Sequence, residues 1–214
     1  MALDSVDALA RQAGLAERVR GHELYAEGGA ATALLLVVRG VVKLVRALDS
    51  GRDVIIELLG RGDVLGEAAL TDDARCDARA VCVHPSTLLV LPREAVLDFI
   101  ASNPAAIRNL LAVLHASVVR AHQRVEDMAV FGVRQRIARF LIRLADWAGR
   151  MDGGRVHVPL ALSRQELAGL VGTTMETTIR IMSALRREGL VEPARRGVVL
   201  PDRAALELVA VGTP

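Results

Sequence analysis

PLALSRQELAGLVGTTMETTIRIMSALRREGLVE, residues 159–192, decides the fold of this chain, because it predicts two short helices separated by a tight turn. Ser163 and Glu166 have the spacing of a capping box, in which the hydroxyl and the carboxylate each accept a backbone N–H at the start of a helix. Gly172 supplies the positive φ that ends the first helix and turns the chain. The second helix ends at Gly189. Two helices with this connection are typical of a helix-turn-helix.

The apolar residues of both predicted helices recur at helical spacing, which indicates one buried face on each helix. These residues are Leu167, Leu170 and Val171 in the first helix and Ile181, Met182 and Leu185 in the second. Either Thr173 or Thr174 caps the start of the second helix.

Three side chains near that start are candidates for reading DNA bases, because a recognition helix brings its N-terminal residues to the base edges of the major groove. Arg180 can donate a bidentate pair to guanine, Glu176 can accept from a cytosine amine, and Met175 can contact a thymine methyl group. The predicted phosphate contacts, which fix the register without reading sequence, are Arg164, Gln165, Thr174 and Thr177. The alternative is structural, since Glu176 could serve only as a capping carboxylate or form a solvated ion pair with Arg180.

The stretch LSRQELAGLVGTTMETTIRIMSALRREGLVE resembles the DNA-binding segment of the Crp/Fnr family of transcriptional regulators, whose pattern runs SRQE, a turn with glycine, then E-T-x-x-R. In that family the Glu and Arg of E-T-x-x-R read a TGA-like core, which implies these roles for Glu176 and Arg180. Met175 stands where the cyclic-AMP receptor has a guanine-reading Arg, which implies a TTGA-like half-site. The resemblance also implies RNA polymerase as a partner.

The composition is that of a globular chain long enough for two modest domains, with 214 residues, 52% of them apolar and 24% charged. The longest apolar run, residues 33–38, is too short to span a bilayer, and the first residues lack the order of a signal peptide, which predicts a cytoplasmic protein. The net charge is only +2, but from Gly132 onward thirteen arginines oppose eight carboxylates, a balance of +5 that leaves −3 for the remainder. A cationic C-terminal part suits a surface for phosphates.

Residues 21–91 consist of short β-type runs broken by Gly and Asp, which predicts an antiparallel barrel or sandwich. The runs are ALLLVV before Arg39-Gly40, VVKLVRAL before Asp49-Ser50-Gly51, and DVIIELL before Gly60. By resemblance this region is the β-roll sensor domain of the family, and the fold class is α+β. The residues before it, 1–20, predict a short amphipathic helix with Val6, Leu9, Leu15 and Val19 as its apolar residues.

A long helix is predicted from Asn103-Pro104, an Asx cap with proline at the first helical position, to a stop at Phe131-Gly132. Its apolar residues alternate at spacings of four and three, the heptad seam of a two-stranded coiled coil. The seam consists of Ile107, Leu111, Leu114, Val118, Ala121, Val125 and Met128. Leu110 and Val113 lie off the seam and predict a second face that packs on the helix's own domain. We therefore expect a homodimer, since a helix-turn-helix protein usually needs two copies to read a palindrome.

A winged domain is predicted after Gly132, where glycine suits a hinge. The next helix has a buried stripe of Val133, Ile137, Leu141 and Leu144. Asp152-Gly153-Gly154 predicts a hairpin turn, His157 faces solvent on the strand that follows, and Arg196-Gly197 separates the runs of a wing. The predicted domains are a β-roll sensor domain over residues 1–103, a dimerisation helix over 104–131, and a winged helix-turn-helix DNA-binding domain over 132–214.

The segment GEAALTDDARCDARAVCVHP, residues 66–85, aligns without gaps on the phosphate-binding cassette of the family. Gly66 and Glu67 match its glycine and its ribose-binding glutamate. Cys76, however, stands where the phosphate-pairing Arg belongs, and Asp77 where the phosphate-bonding Ser belongs. A carboxylate about 4 Å from a cyclic phosphate is repelled by about 1–4 kcal/mol at effective dielectrics from 80 to 20.

The long helix departs from the family at the same site, because Ala121 and His122 replace its adenine-contacting Thr-Ser pair. The resemblance therefore implies a degenerate effector pocket that disfavours cyclic AMP, and we expect no cofactor. A displaced Arg75, a redox signal at Cys76 and Cys82, and a pocket with no effector remain as alternatives.

Catalytic motifs are not found in the sequence, which lacks GxSxG, HExxH and Walker patterns. The two cysteines form no CxxC, and the five histidines lack metal-ligand spacing, so we expect neither an enzyme nor a metal site. The competing interpretations are a sensor or protein-interaction module with a vestigial helix-turn-helix, an enzyme acting on a nucleotide in the β-roll, and a haem or metal site that uses His84, His115 or His122.

Overall fold

A computed structural model describes residues 7, 9–49, 53–159, 162–195 and 197–212 of the chain. The chain divides into two compact units, Met1–His122 and Gln123–Pro214. No helix in the described ranges is both long and apolar enough to cross a membrane.

The first unit is built on two four-stranded antiparallel sheets, which form the predicted β-roll. Its strands are β1 (Gly14–Arg18), β2 (Glu23–Tyr25), β3 (Ala33–Arg39), β4 (Val42–Ala47), β5 (Asp53–Leu59), β6 (Val64–Leu65), β7 (Arg79–Cys82) and β8 (Ser86–Pro92). One sheet has the order β1-β8-β3-β6 and the other β2-β7-β4-β5. The three runs singled out in the sequence are β3, β4 and β5, although Ser50 and Gly51 of the second turn lie outside the described residues.

The inner faces of the two sheets meet in one core, because alternate residues of each strand point to it. Its buried members are Leu35, Val37, Val42, Leu59, Leu65, Ala80, Cys82 and Leu88. A 3₁₀ helix, Glu67–Leu70, follows β6, and helix α1, Arg93–Ser102, follows β8.

The predicted helix over residues 1–20 is wrong for its second half. Residues 9–12 are helical, but β1 pairs with β8 from Gly14↔Val90 to Arg18↔Ser86. Leu15 and Val19, expected on a buried helical face, are exposed. Pairing with the sheet edge has overridden the helical spacing, a long-range effect that local periodicity does not report. Val6 lies outside the described residues.

The long helix α2 spans Pro104–Val130, 27 residues and about 40 Å at 1.5 Å per residue. Its off-seam face packs as expected, since Ala106 is buried and Leu110 and Val113 are partly buried. The division between the two compact units falls inside this helix, after His122.

The second unit is a winged helix-turn-helix. Its elements are helices α3 (Val133–Ala148), α4 (Arg164–Leu170), α5 (Met175–Arg187) and α6 (Arg203–Val211), and strands β9 (Arg150–Asp152), β10 (Arg155–Val158), β11 (Glu192–Ala194) and β12 (Gly197–Leu200). The strands form one antiparallel sheet in the order β11-β12-β10-β9. Helix α6 lies outside the predicted elements. Arg196, at the wing turn, lies outside the described residues.

The predicted details of this unit are largely confirmed. Ile137, Leu141 and Leu144 are buried in its core, together with Leu167 and Leu206. A two-residue turn joins β9 to β10, since Arg155 pairs with Asp152, and both turn glycines have positive φ. On β10, His157 is exposed between the buried Val156 and Val158.

Candidate functional site

The helix-turn-helix is held by the caps that the sequence predicts. Ser163 Oγ accepts from the Glu166 amide at 3.1 Å, and Glu166 Oε2 accepts from the Ser163 amide at 2.8 Å. Gly172 has φ 65° and turns the chain after α4. Thr174, not Thr173, is the cap of α5, because its Oγ1 accepts from the Thr177 amide at 3.2 Å.

Helix α5 has one buried face and one exposed face. Met182 and Leu185 are buried and Ile181 is partly buried, as predicted. Thr178 is also fully buried, and its hydroxyl donates to the Thr174 carbonyl at 3.0 Å. The burial of Thr178 is not predicted by the apolar pattern of the sequence, because threonine is not an apolar residue.

The exposed face of α5 carries all three candidate base-reading residues. Met175 is 43% exposed, and Glu176 and Arg180 are exposed beside it. Among the described residues neither Glu176 nor Arg180 has an ion-pair or hydrogen-bond partner, so the expected alternative of a Glu176–Arg180 pair is not formed. Ile179, an apolar residue that the sequence does not single out, lies on the same face and is 46% exposed. This face therefore combines a carboxylate, a guanidinium and two apolar groups that bases can contact.

The candidate phosphate contacts surround that face. Arg164 and Gln165 are exposed at the start of α4. The hydroxyls of Thr174 and Thr177 lie 3.1 Å apart and are shared with the cap of α5. A helix N-terminus with free N–H groups favours an anion, so the start of α5 suits a phosphate as well as a cap.

Arg136 joins the turn of the helix-turn-helix to the end of α2. Its guanidinium donates to the carbonyls of Val171 at 2.7 Å and Gly172 at 3.1 Å, and to those of Phe131 at 2.8 Å and Met128 at 3.3 Å. These carbonyls end two helices, where no intrahelical donor is left for them. One cation therefore caps both helix C-termini, a role that no local pattern in the sequence predicts.

The predicted hinge at Gly132 does not use the freedom of glycine. Its φ of −64° and ψ of 159° are extended values that any residue adopts. Its amide donates to Gln135 Oε1 at 2.8 Å, which starts α3 with a capping contact. The link is thus braced by Gln135 and Arg136.

The predicted seam of α2 is uncovered in the single chain. Six of its seven residues are exposed apolar side chains: Ile107, Leu111, Leu114, Val118, Val125 and Met128. Val118 is 50% and Val125 68% exposed, values unlike those of the packed Leu110 and Val113. Ala121 is partly buried. Met128 also covers the turn, since a Cβ at position 172 would stand 3.4 Å from its Cε.

In the cassette region, Gly66 keeps the geometry of a tight turn. Its φ is 83°, and a Cβ there would lie 2.6 Å from the Ala33 carbonyl oxygen, so only glycine fits. Glu67 opens the 3₁₀ helix, and burial raises the pKa of its carboxyl above the ordinary value, with a smaller lowering by its own amide.

The two positions that depart from the family pattern face opposite ways. Cys76 is 4% exposed and packs with Ala31 and Ala69 inside the roll, and burial raises the pKa of its thiol. Asp77 is exposed, and its carbonyl accepts from Arg46 Nε at 3.2 Å. The structure therefore provides no cationic group at position 76.

Arg75, the candidate substitute for the missing arginine, has other partners. It donates to the Gly28 carbonyl at 3.0 Å and lies 3.7 Å from Asp73. Arg120 on α2 is a cation that acts on the Glu67 carboxyl, and it lies 3.3 Å from Asp63 Oδ1 and 3.8 Å from Glu57 Oε1. The neighbouring His122 is exposed.

The candidate metal ligands are not brought together. In the part of the chain that the structure describes, no three His, Cys, Asp or Glu side chains are grouped around a common point. Cys76 and Cys82 are both buried thiols without a disulfide, and burial raises the pKa of each.

Comparison with known proteins agrees with this geometry in both units. Residues 135–209 match the model of a Crp-like helix-turn-helix domain, and residues 17–103 match that of a cyclic nucleotide-binding domain. The cyclic AMP receptor protein of Thermus thermophilus is 33% identical over 193 residues, which cover 90% of this chain and 86% of that protein. The chain belongs to the Crp/Fnr family.

Two further relatives support the assignment. A CRP-like cAMP-activated global transcriptional regulator of Mycobacterium tuberculosis is 27% identical over 94% of this chain and 90% of its own. The crystal structure of a CRP-family transcriptional regulator from Thermus thermophilus superposes with a TM-score of 0.78 at 27% identity, covering 92% of this chain and 97% of that one. The protein is thus a Crp-like transcriptional regulator with a helix-turn-helix DNA-binding domain, and its relatives are regulators rather than enzymes.

Proposed function

We propose that this regulator acts as a homodimer that reads a two-fold-symmetric DNA site with a TTGA-like half-site, and that its effector is not cyclic AMP. The exposed face of α5 supports the first part most directly, because it presents Glu176 and Arg180 to solvent without internal partners among the described residues. A cytoplasmic location and contact with RNA polymerase belong to the same proposal.

The dimer follows from the apolar stripe along α2. Contiguous apolar surface of this kind marks an interface, and the heptad spacing fits a second copy of the same helix in parallel register. A pairing of two copies would relate two α5 helices by a dyad. Half-sites about 34 Å apart, one turn of DNA, would then meet them in successive major grooves.

The half-site follows from the chemistry of the exposed face. Arg180 can donate to guanine and Glu176 can accept from cytosine on adjacent pairs. The Met175 side chain has no hydrogen-bond donor for guanine, but it can contact a thymine methyl group. We therefore expect thymine rather than guanine at the base pair that Met175 contacts. Ile179 is a further apolar group that can touch such a methyl.

Selection from a random duplex pool tests this part of the proposal. The recovered sites should be palindromic, contain TTGA-like half-sites, and lose affinity steeply as salt rises. Recovery of unsymmetric single half-sites by a dimeric protein would contradict it. Failure to select any sequence would favour the alternative, a protein-interaction module with a vestigial helix-turn-helix.

The effector proposal rests on the cassette. Two relatives are named for cyclic AMP, but here the buried Cys76 offers no charge to a phosphate, and Asp77 adds a like charge at the next residue. The lost arginine would also have supplied a bidentate, charge-assisted pair.

Calorimetric titration with cyclic AMP and cyclic GMP separates the possibilities. We expect no heat of binding for the natural chain, and micromolar binding after Cys76→Arg with Asp77→Ser. The exchange Asp72→Ser, at an exposed cassette position, is the control and should stay silent. Micromolar binding by the natural chain would overturn the proposal.

A further inference from the structure

A cavity of about 380 Å³ opens into the β-roll among β1, β2, β3 and β8. Its deep end is formed by the buried Leu35 and Leu88 from the two adjacent strands, and by Ala31 and Cys76. Its rim carries Arg18, which is partly exposed. Of the cassette residues, Cys76 belongs to its described lining, whereas Glu67 and Asp77 do not. The cavity therefore adjoins the degenerate nucleotide site through Cys76, and through Tyr25, whose hydroxyl lies beside the Gly66 backbone.

The described lining of the cavity includes one guanidinium and no carboxylate. Arg18 carries that guanidinium at the rim, where the exposed His22 also lies. The only hydrogen bond of the Arg18 side chain within the described chain is a 3.0 Å bond to the neighbouring Glu17 carbonyl, so its charge has no carboxylate partner there. An unpaired guanidinium over an apolar floor is complementary to an anion that carries an apolar body.

The volume of the cavity limits the size of the ligand's apolar part. At about 30 Å³ per water, the space corresponds to roughly a dozen non-hydrogen atoms. This lies at the small end of the range for ligand pockets, which are mostly apolar with a few placed polar groups. Tyr25 on the wall supplies such a group through its phenol hydroxyl, and burial raises the pKa of that phenol.

We propose that this cavity binds a small amphipathic carboxylate, with its apolar chain against Leu35 and Leu88 and its carboxylate at Arg18. The inference does not depend on the DNA sequence that the protein reads.

Titration with octanoate tests the site directly on the full-length protein. One octanoate should bind per chain. The affinity for butanoate should be lower by about fourfold for each methylene removed. Arg18→Gln should weaken octanoate by about tenfold and leave the neutral 1-octanol unchanged. Arg39→Gln removes an exposed charge from the same unit outside the cavity and should change neither ligand.

A second variant tests the apolar part of the cavity. Val90→Phe places a ring into the space, and we expect octanoate binding to be lost, whereas Val54→Phe on the exposed face of β5 should leave it intact. Thermal unfolding monitored by circular dichroism verifies that each variant is folded. No octanoate binding by the natural chain, or equal binding by the natural chain and Arg18→Gln, would refute the proposal.

Discussion

The turns at Gly172 and Gly66 share one backbone conformation, but the residues that follow them differ in exposure. Both glycines have left-handed φ and start a short helical segment. After Gly172 the polar side chains point to solvent, with Glu176 and Arg180 lacking internal partners among the described residues. After Gly66, by contrast, Glu67 is partly buried and Cys76 is buried against alanines, although Asp77 is exposed. The DNA-binding face thus leaves a carboxylate and a guanidinium unpaired in the described part of the chain, whereas position 76 of the cassette presents a buried neutral thiol.

Two arginines near the cassette have partners within the protein. Arg120 lies between Asp63 and Glu57, and Arg75 is held by a backbone carbonyl. These two arginines are thus already engaged by other groups of the protein. In the second unit, by contrast, the exposed guanidinium of Arg180 can form its first strong contact with DNA.

The largest expected effect tests whether the DNA-reading unit works alone. Val125→Glu places like charges opposite each other in the α2 seam, so the dimer should dissociate and affinity for the palindrome should fall. Sedimentation should report monomers, and gel shifts should show the loss of binding. Val119→Glu, at an exposed position of α2 outside the seam, should remain dimeric. A dimeric Val125→Glu variant would place the interface elsewhere.

A smaller effect is expected from Arg180→Ala, which should distinguish a base-specific contact from a general attraction to phosphates. Arg180→Ala should cost about 1–3 kcal/mol per half-site and relax the preference at one base pair. Competition gel shifts with single-base variants of the selected site measure this change. Arg187→Ala, at the far end of α5, should weaken all duplexes alike or not at all. An equal loss on every duplex for Arg180→Ala would make Arg180 a phosphate contact only.

The smallest expected effect is on the stability of the fold, and it concerns Glu67 in the cassette. Because burial raises the folded-state pKa of Glu67, its ionised form destabilises the fold, and the stability it contributes below the unfolded value is lost as pH rises through the folded pKa. Glu67→Gln should therefore be more stable than the natural chain at pH 7, with the difference vanishing below about pH 4. Urea unfolding at both values measures it. Glu126→Gln, at an exposed position on α2, should show no such difference, and a less stable Glu67→Gln at pH 7 would show the carboxylate to be favourably paired.

The parts that the sequence predicted are those fixed by neighbouring residues. The capping box of Ser163 and Glu166, the turn at Gly172 and the heptad stripe each depend on groups within one or two helical turns. Their spacing in the chain is therefore sufficient evidence. The base-reading residues remain predictions, because the structure shows that their side chains are accessible but not what they contact.

The missed features arise from long-range contacts. Strand β1 forms because β8, about seventy residues away, offers a sheet edge. The cavity behind Arg18 exists because four strands leave space between them. Arg136 meets carbonyls up to thirty-six positions away. Contacts between residues so far apart in the sequence produce no periodic pattern, so they can be identified only from the folded structure.

The four carbonyl bonds of Arg136 have a consequence for the helical phase of DNA. A planar guanidinium held by Met128 and Phe131 on one side and Val171 and Gly172 on the other cannot rotate without breaking bonds at both helix ends. The recognition turn therefore keeps a fixed angle to the last turn of α2. Moving one half-site by a single base pair rotates it by about 34–36° around the duplex axis. In the proposed dimer the bonds of Arg136 would resist that rotation, so we expect the protein to discriminate the spacing between half-sites as strictly as their sequence.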